Sequence, residues 1–204
     1  ALERENAELR ALMEAAPKAR GEVRVGEVMS INLDPFRQQL VINKGSLDGV
    51  YRGQPLLGAH GVMGQITHTD AFSSVAILIT DPNTAIPVEI GRNGLRTIAV
   101  GTGDASRLEL PYLPNNADIK VGDTFVTSGL GGRFPRGYPV GTVTRVVQNP
   151  GAPFAEVDAR PAAEIDRSHE VLLLWPPNDK HAPAAKQIPA KKGNAAASQP
   201  GTPQ

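Results

Sequence analysis

The chain has 204 residues, 21 of them basic and 21 acidic, so its formal net charge at pH 7 is zero, and it contains no cysteine. The missing cysteine excludes a disulfide framework, a thiolate zinc site and a thiol nucleophile. Lysine and arginine are scattered singly among the predicted strands, which argues against nucleic-acid binding. No apolar stretch approaches the ~18 residues of a membrane-spanning helix. The start at Ala1, inside a helical pattern, predicts a piece of a longer protein.

The first predicted element, residues 1–20, is a helix at the end of a coiled coil. Its sequence ALERENAELRALMEAA is rich in strong helix formers, and Pro17 ends it. A heptad register predicts self-association, and one asparagine at an a position favours two-stranded pairing. A short amphipathic helix packed on its own domain remains the alternative. The register places these residues at d and a positions: Leu2, Asn6, Leu9, Met13 and Ala16.

The second region, residues 21–175, is predicted to be mainly β. Short β-rich runs alternate with Gly, Pro, Asn and Asp, and turn signals recur about every eight to twelve residues, a spacing typical of sandwiches and barrels. Antiparallel pairing is favoured because no helix of normal length separates the runs and parallel strands need crossover helices. Strands are predicted at 23–31, 39–43, 75–80, 85–90, 96–100, 108–112, 121–127, 138–147, 155–158 and 171–175.

An internal repeat within this region predicts two barrels built alike. In each copy an apolar residue stands three positions before a glycine, a strand follows, and a second strand is entered near another small residue. The fold class is therefore mainly β: an N-terminal helix followed by two small antiparallel β-barrels, the second partly discontinuous in sequence. The first copy is Val50, Gly53, Leu56, Leu57, Val62, Gly64, Ile66 and Thr67, and the second is Ile119, Gly122, Phe125, Val126, Pro139, Gly141, Val143 and Thr144.

The last region, residues 176–204, is predicted to be a disordered tail. It repeats Pro and Ala, carries several Lys, and has no aromatic residue. A solvated extension is favoured over contact of its lysines with an acidic surface.

The most specific pattern is VGDTFVTSGLGGRFPRGYPVG at 121–141, which predicts a hairpin with an elaborate loop. The chain leaves the sheet through glycines and re-enters it at 138–147. Leu130, Arg133 and Phe134 are candidate partner contacts, because an apolar side chain on such a loop is either tucked under the barrel or offered to a neighbour. Pro135 restricts the backbone of Phe134 and favours the tucked position for that ring.

A double barrel makes a serine protease the enzyme alternative. Ser128 is the best nucleophile candidate, with His60 or His68 as base and Asp70 or Asp81 as orienting acid, but GDSGG and GxSxG patterns are absent from the sequence. The four histidines lack metal-ligand spacing. The glycine loop lacks the Lys-Ser/Thr pair of a phosphate-binding loop. We therefore predict no catalytic residue, no metal and no cofactor.

Four stretches together resemble the periplasmic region of the rod shape-determining protein MreC family. They are residues 1–16, VINKGSLDGVYRGQPLLGAHGVMGQI at 41–66, VAILITDPN at 75–83 and GDTFVTSGLGGRFPRGYPVG at 122–141. The last stretch is the most specific. The signature and turn residues that carry the resemblance are Gly49, Gly53, Gly61, Gly64, Gly122, Asp123, Thr127, Ser128, Gly129, Gly132, Pro135, Gly137 and Gly141.

The resemblance implies a non-enzymatic scaffold of the cell-wall elongation machinery, located in the periplasm and anchored to the bacterial inner membrane by a helix outside this sequence. The implied partners are the chain itself, a class B penicillin-binding transpeptidase, the membrane protein MreD and the MreB filament. A periplasmic adaptor of an export system is the alternative. Such adaptors carry a long helical hairpin, and the sequence predicts none here.

Overall fold

The computed structural model describes residues 10–11 and 21–176. Arg10 and Ala11 have helical backbone. The five heptad residues predicted to mediate self-association lie outside the described residues, and so does the tail from residue 177 onward. In the described chain, β-strands form two antiparallel barrels, as the sequence predicted, and each barrel is closed and has six strands.

The first barrel contains β1 to β5 and β12, in the order β1-β12-β3-β4-β5-β2. The second contains β6 to β11, in the order β10-β11-β8-β7-β6-β9. The first-barrel strands are β1 Glu22–Asp34, β2 Arg37–Ile42, β3 Pro55–Leu57, β4 Val62–Thr69, β5 Ser74–Leu78 and β12 Glu170–Trp175; the second-barrel strands are β6 Ala85–Ile90, β7 Arg96–Gly101, β8 Leu108–Glu109, β9 Thr124–Thr127, β10 Pro139–Val147 and β11 Glu156–Pro161.

The discontinuous barrel is the first one, and the prediction that it would be the second is wrong. The second barrel is one continuous stretch of chain inserted between β5 and β12. The chain then returns, and β12 closes the first barrel between β1 and β3. Residues 171–175 of β12 are all buried. Five consecutive buried apolar residues leave the strand no polar face for solvent, so it is stable only where other parts of the chain cover both of its faces.

The two barrels share one topology. The strands β1, β2, β3, β4, β5 and β12 of the first barrel can be matched in this order with β7, β8, β9, β10, β11 and β6 of the second. With this matching, the two neighbours of each strand in the first barrel correspond to the two neighbours of its counterpart in the second. Because the counterpart of β12 is β6, which precedes the other five strands, the second barrel is a circular permutation of the first. The register also agrees, since Leu56 pairs with Gly64 in one barrel and Phe125 pairs with Gly141 in the other.

The cores follow from the alternation of apolar and polar residues along the strands. In β6, for example, Ile86, Val88 and Ile90 point inward and are buried, while the residues between them are only half-buried. The largest fully buried side chain in the described chain is Trp175 of the first barrel. Its indole nitrogen donates to the Gly49 carbonyl at 3.3 Å. The candidate site lies in loops that are attached to these packed cores.

Candidate interaction surface

The signature loop, residues 128–138, joins β9 to β10, and Thr127 closes its base. The Thr127 amide donates to the Tyr138 carbonyl at 2.8 Å, and the Gly137 amide donates to the Thr127 carbonyl at 2.8 Å. The Thr127 hydroxyl accepts the Tyr138 amide at 3.0 Å. Ser128 accepts the Leu130 amide at 3.3 Å. One buried threonine and its neighbour therefore satisfy the backbone where the chain leaves and re-enters the sheet.

The signature glycines are needed for two different physical reasons. Those in turns have positive φ, where a Cβ is strained. Those in or beside strands have no room for a Cβ: one added at Gly64 would lie 2.1 Å from the Ile77 carbonyl oxygen, and one at Gly61 would lie 2.5 Å from the Pro139 carbonyl oxygen. The first group is Gly49, Gly53, Gly122, Gly129, Gly132 and Gly137, and the second is Gly61, Gly64 and Gly141.

The three candidate partner residues of the loop occupy different environments. Leu130 is 50% exposed and Arg133 is also exposed. The Phe134 ring belongs to the buried core and is only 6% exposed. Of the two positions open to this ring, the structure places it in the tucked one. Leu130 and Arg133 remain available for contact with another molecule.

An ion-pair cluster attaches the end of the signature loop near Arg136 to β6. Arg136 on the loop donates to Glu89 of β6 at 2.6 Å, and Arg96 of β7 lies 3.6 Å from the same carboxylate. The hydrogen bond from Arg136 is the largest influence lowering the pKa of Glu89, with desolvation opposing it. Glu89 thus remains ionised and ties the loop to the barrel wall.

A second ion-pair cluster lies at the start of β9. The Arg92 guanidinium donates to both carboxylate oxygens of Asp123 at 2.9 Å and to the Asp118 carboxylate at 2.7 Å. These hydrogen bonds hold the pKa of both Asp123 and Asp118 below its usual range, although desolvation acts in the opposite direction. The signature aspartate therefore positions the turn before β9 by binding a cation from the β6–β7 hairpin.

The junction network is a set of four buried or half-buried residues that joins the barrels. Asp81, which the sequence offered as a candidate orienting acid, is fully buried, and its carboxylate accepts the Gln38 amide at 2.6 Å and the Asn83 amide at 2.7 Å. The Gln38 side chain donates to the Gly103 carbonyl at 2.7 Å and accepts the Thr80 hydroxyl. The network is Gln38, Thr80, Asp81 and Gly103. It links the first-barrel hairpin, the chain connection and a second-barrel loop.

The inter-barrel groove lies beside this junction and has a volume of about 470 Å³. Its first-barrel wall includes Gln65 and Ile77 on β4 and β5. The connection between the barrels contributes Thr84, and the signature loop contributes Arg133 and Phe134. Two of the three candidate partner residues therefore line a concave surface shared by both barrels.

The protease candidates are not assembled into a relay. Asp81 is engaged in the junction network between the barrels. His68 lies 3.2 Å from Asp70 at the end of β4. The hydrogen bonds of Ser128 in the described chain run to Leu130 and to the Pro87 carbonyl, and they do not reach an imidazole. The Ser128 geometry is that of a loop base.

In residues 10–11 and 21–176, no group of three or more His, Cys, Asp or Glu side chains could hold a metal ion. No helix in the same residues has the length and apolar character needed to cross a bilayer.

Sequence reasoning missed the tertiary partners of several residues that it named. Asp123 was identified only as a signature residue, yet it binds Arg92, which is 31 positions away. Gln38 and Arg52 carried no local signal, because a lone polar residue in a β-run indicates nothing about what folds against it. The contact between Gln38 and Asp81 joins residues that are far apart in the sequence, so only the folded structure reveals it.

The family of the chain follows from comparison with known proteins. The model of "Rod shape-determining protein MreC, barrel core" matches residues 28–175. The cell shape-determining protein MreC of Escherichia coli K12 is 44% identical over 171 residues, which are 84% of this chain and 47% of that protein. The chain thus spans about half the length of this curated relative.

Solved structures share the double-barrel fold. A structure of MreC aligns with a TM-score of 0.81 at 48% identity, covering 86% of this chain and 99% of that chain. A complex of penicillin-binding protein PBP2 with MreC from Helicobacter pylori aligns with a TM-score of 0.56 at 20% identity, covering 75% of this chain and 98% of that chain, a likeness of fold alone. With a matching barrel-core model and close relatives of one kind, this chain belongs to the rod shape-determining protein MreC family.

Proposed function

We propose that this chain is the periplasmic part of a non-enzymatic scaffold of the cell-wall elongation machinery that controls rod cell shape. The observation that carries the proposal is the match of both barrels, over residues 28–175, to the MreC barrel core. In the full-length protein an N-terminal anchor attaches the scaffold to the inner membrane, and this anchor is its only contact with the membrane.

A class B penicillin-binding transpeptidase is the proposed partner of the barrels. The complex of PBP2 with MreC from Helicobacter pylori supports it, since that MreC has the same fold. The contact is proposed to include the signature loop, where Leu130 offers an exposed apolar side chain and Arg133 a charge. Apolar and arginine anchors surrounded by polar residues are typical of protein interfaces.

The loop contact is tested by binding of the purified transpeptidase ectodomain in biolayer interferometry. We expect Leu130→Asp to weaken binding at least about tenfold, because it places a charge where an apolar contact forms. Val121→Asp is the matched control. Val121, like Leu130, is an exposed branched apolar residue, with 64% of its surface exposed, but it lies outside the signature loop. Equal binding by the wild type and Leu130→Asp would remove this loop from the interface.

Self-association is proposed to occur through the heptad residues Leu2, Asn6, Leu9, Met13 and Ala16, with MreD and MreB as further partners of the full-length protein. Pairing of two chains raises the local concentration of their barrels and strengthens weak contacts between them. Light scattering on this chain tests the pairing. We expect a dimer or larger species that Leu9→Asp converts to monomer, and a wild-type chain that stays monomeric at high concentration would contradict the proposal.

A further inference from the structure

The inter-barrel groove has an unusual charge. Its lining contains two arginines, Arg52 and Arg133, and no Asp or Glu. Arg52 comes from a turn of the first barrel and Arg133 from the signature loop of the second. The groove therefore presents two positive charges, supplied from both barrels, toward any molecule that enters it.

These two guanidinium groups have no ion-pair partner among the described residues, whereas most arginines of the barrels have one. The paired arginines are Arg24, Arg92, Arg96, Arg107, Arg136, Arg145 and Arg167. A single exposed arginine without a partner is ordinary. Two that line one groove free of carboxylates form a complementary surface for an acidic ligand, because guanidinium groups bind carboxylates through paired hydrogen bonds.

The rest of the lining is only partly polar. Half-buried Ile77 contributes apolar surface beside the nearly buried Phe134, and Gln65 and Thr84 contribute polar side chains. Gln65 is already held in place, because its amide donates to the Gly53 carbonyl at 2.7 Å. The volume of about 470 Å³ lies within the range of binding pockets and is large enough for a few residues of a peptide.

We propose that the inter-barrel groove binds a short peptide segment of a partner protein in which acidic residues flank an apolar one. The acidic side chains pair with Arg52 and Arg133, and the apolar side chain packs against Ile77. A free inorganic anion would use the arginines alone and leave the apolar surface uncovered, which favours a peptide. The inference rests on the proposed scaffold function in that the ligand is a protein, but the site is testable without knowing which protein.

The junction network makes the groove a site of fixed geometry. Its two walls belong to different barrels, and Asp81 and Gln38 hold those barrels together through buried hydrogen bonds. Side chains held on a rigid frame lose less entropy when a ligand binds. The shape of the groove therefore depends on how the two barrels are placed relative to each other, and a peptide that fits the groove would stabilise that placement.

The test is an NMR titration of ¹⁵N-labelled chain with the peptide acetyl-TDVET-amide and its neutral counterpart acetyl-TNVQT-amide. We expect the acidic peptide to shift the amide signals of Gly53, Gly64 and Ala85, which line the groove, and the neutral peptide to bind at least about tenfold more weakly. The variant Arg52→Gln/Arg133→Gln should lose the same factor while its spectrum stays folded. Arg160→Gln is the matched control, because Arg160 is an exposed arginine outside the groove.

Several outcomes would overturn the proposal. They are equal binding of both peptides, unchanged binding by the double variant, signal changes confined to residues outside the groove, or inorganic phosphate competing as strongly as the acidic peptide. A concentration-dependent association of the chain that Arg52→Gln/Arg133→Gln abolishes would assign the groove to a second copy instead. If the wild-type chain bound the acidic peptide but not the transpeptidase, the result would count against the proposed function and leave the groove proposal standing.

Discussion

Residues 51–54 of the first barrel and residues 120–123 of the second form the same turn. The third residue of each turn is a glycine with φ of 93°, as a type II turn requires. The fourth residue, Gln54 or Asp123, uses its side-chain oxygen to accept the amide of the first, at 3.3 Å and 2.9 Å. The two barrels have thus kept one turn geometry with two different side chains at its end.

The difference lies in how that fourth side chain is satisfied. Gln54 is an amide, which can also donate, and its nitrogen donates to the Leu174 carbonyl at 3.3 Å within the first barrel. Asp123 is a carboxylate, which only accepts, and it requires the Arg92 cation. A buried polar side chain needs partners of matching type, so the same backbone is stabilised by neutral chemistry in one barrel and by charge in the other.

The same contrast extends over each whole barrel. The carboxyl groups whose pKa is clearly lowered in the described chain are Glu89, Asp104, Asp118 and Asp123, and all lie in the second barrel. Hydrogen bonds from arginine or serine are the largest cause in each case. The second barrel therefore depends on ionised carboxylates more than the first does.

The largest effect is expected from adding a Cβ at the paired strand glycines. Gly64→Ala should lower the free energy of unfolding by about 3 kcal/mol, because its Cβ would meet backbone that cannot move independently. Gly141→Ala should cost less, since its Cβ would lie 2.6 Å from the nearest backbone atom, the Arg160 carbonyl oxygen, whereas the corresponding distance at Gly64 is 2.1 Å. Urea denaturation measures both.

The control for the strand glycines is Gly94→Ala, a turn position with φ of 69° and open space around it. It should cost only the strain of a left-handed backbone, about 1 kcal/mol. Equal losses for Gly64→Ala and Gly94→Ala would show that crowding is not the reason for glycine in the strand.

Exchanging the turn chemistry should have the next largest effect. Gln54→Glu removes the donor to Leu174 and places a carboxylate in a fully buried site without a described cation, so the loss should be about 2 kcal/mol. Asp123→Asn keeps an acceptor for the turn but weakens the pairing with Arg92, and about 1 kcal/mol should be lost. Thermal and urea unfolding of both variants would contradict this order if Asp123→Asn were the more damaging.

Acid should weaken the second barrel before the first. A carboxyl whose folded pKa is lowered adds stability that is complete above its unfolded pKa and is lost as the pH falls through the folded pKa. Stability should therefore be level above about pH 5 and fall below about pH 4. Hydrogen exchange at decreasing pH should show loss of protection in β6 to β11 first. Earlier loss in β1 to β5 would contradict the assignment of acid sensitivity to these four carboxyls.

The smallest effect is expected at the Glu89 cluster, which is partly exposed. Glu89→Gln should leave overall unfolding nearly unchanged but increase the hydrogen exchange of the signature loop, because Arg136 loses its anchor. The control is Glu156→Gln, which removes an exposed partner of Arg145 away from the loop. No change in the loop amides of Glu89→Gln would show that the hydrogen bonds at the loop base close the loop without this ion pair.

Much of the fold followed from the sequence alone, because it depends on local patterns. Alternating apolar residues and turn glycines predicted the strands and the 121–147 hairpin, and the repeat predicted two similar barrels, as observed. Physically, a glycine that must adopt positive φ and a strand that must bury one face are constrained by their own residues. The turn glycines Gly53 and Gly122 were identifiable for this reason before any contact was known.

Only the tertiary structure decided which distant segments meet. The closure of the first barrel by β12, the Arg92–Asp123 pairing, the burial of Asp81 at the junction and the groove shared by Arg52 and Arg133 all join residues far apart in sequence. These contacts depend on complementary charge, hydrogen bonding and shape between surfaces that each segment carries separately. Local pattern determines which strands and turns form, and the packing of one barrel against the other determines where they form a site.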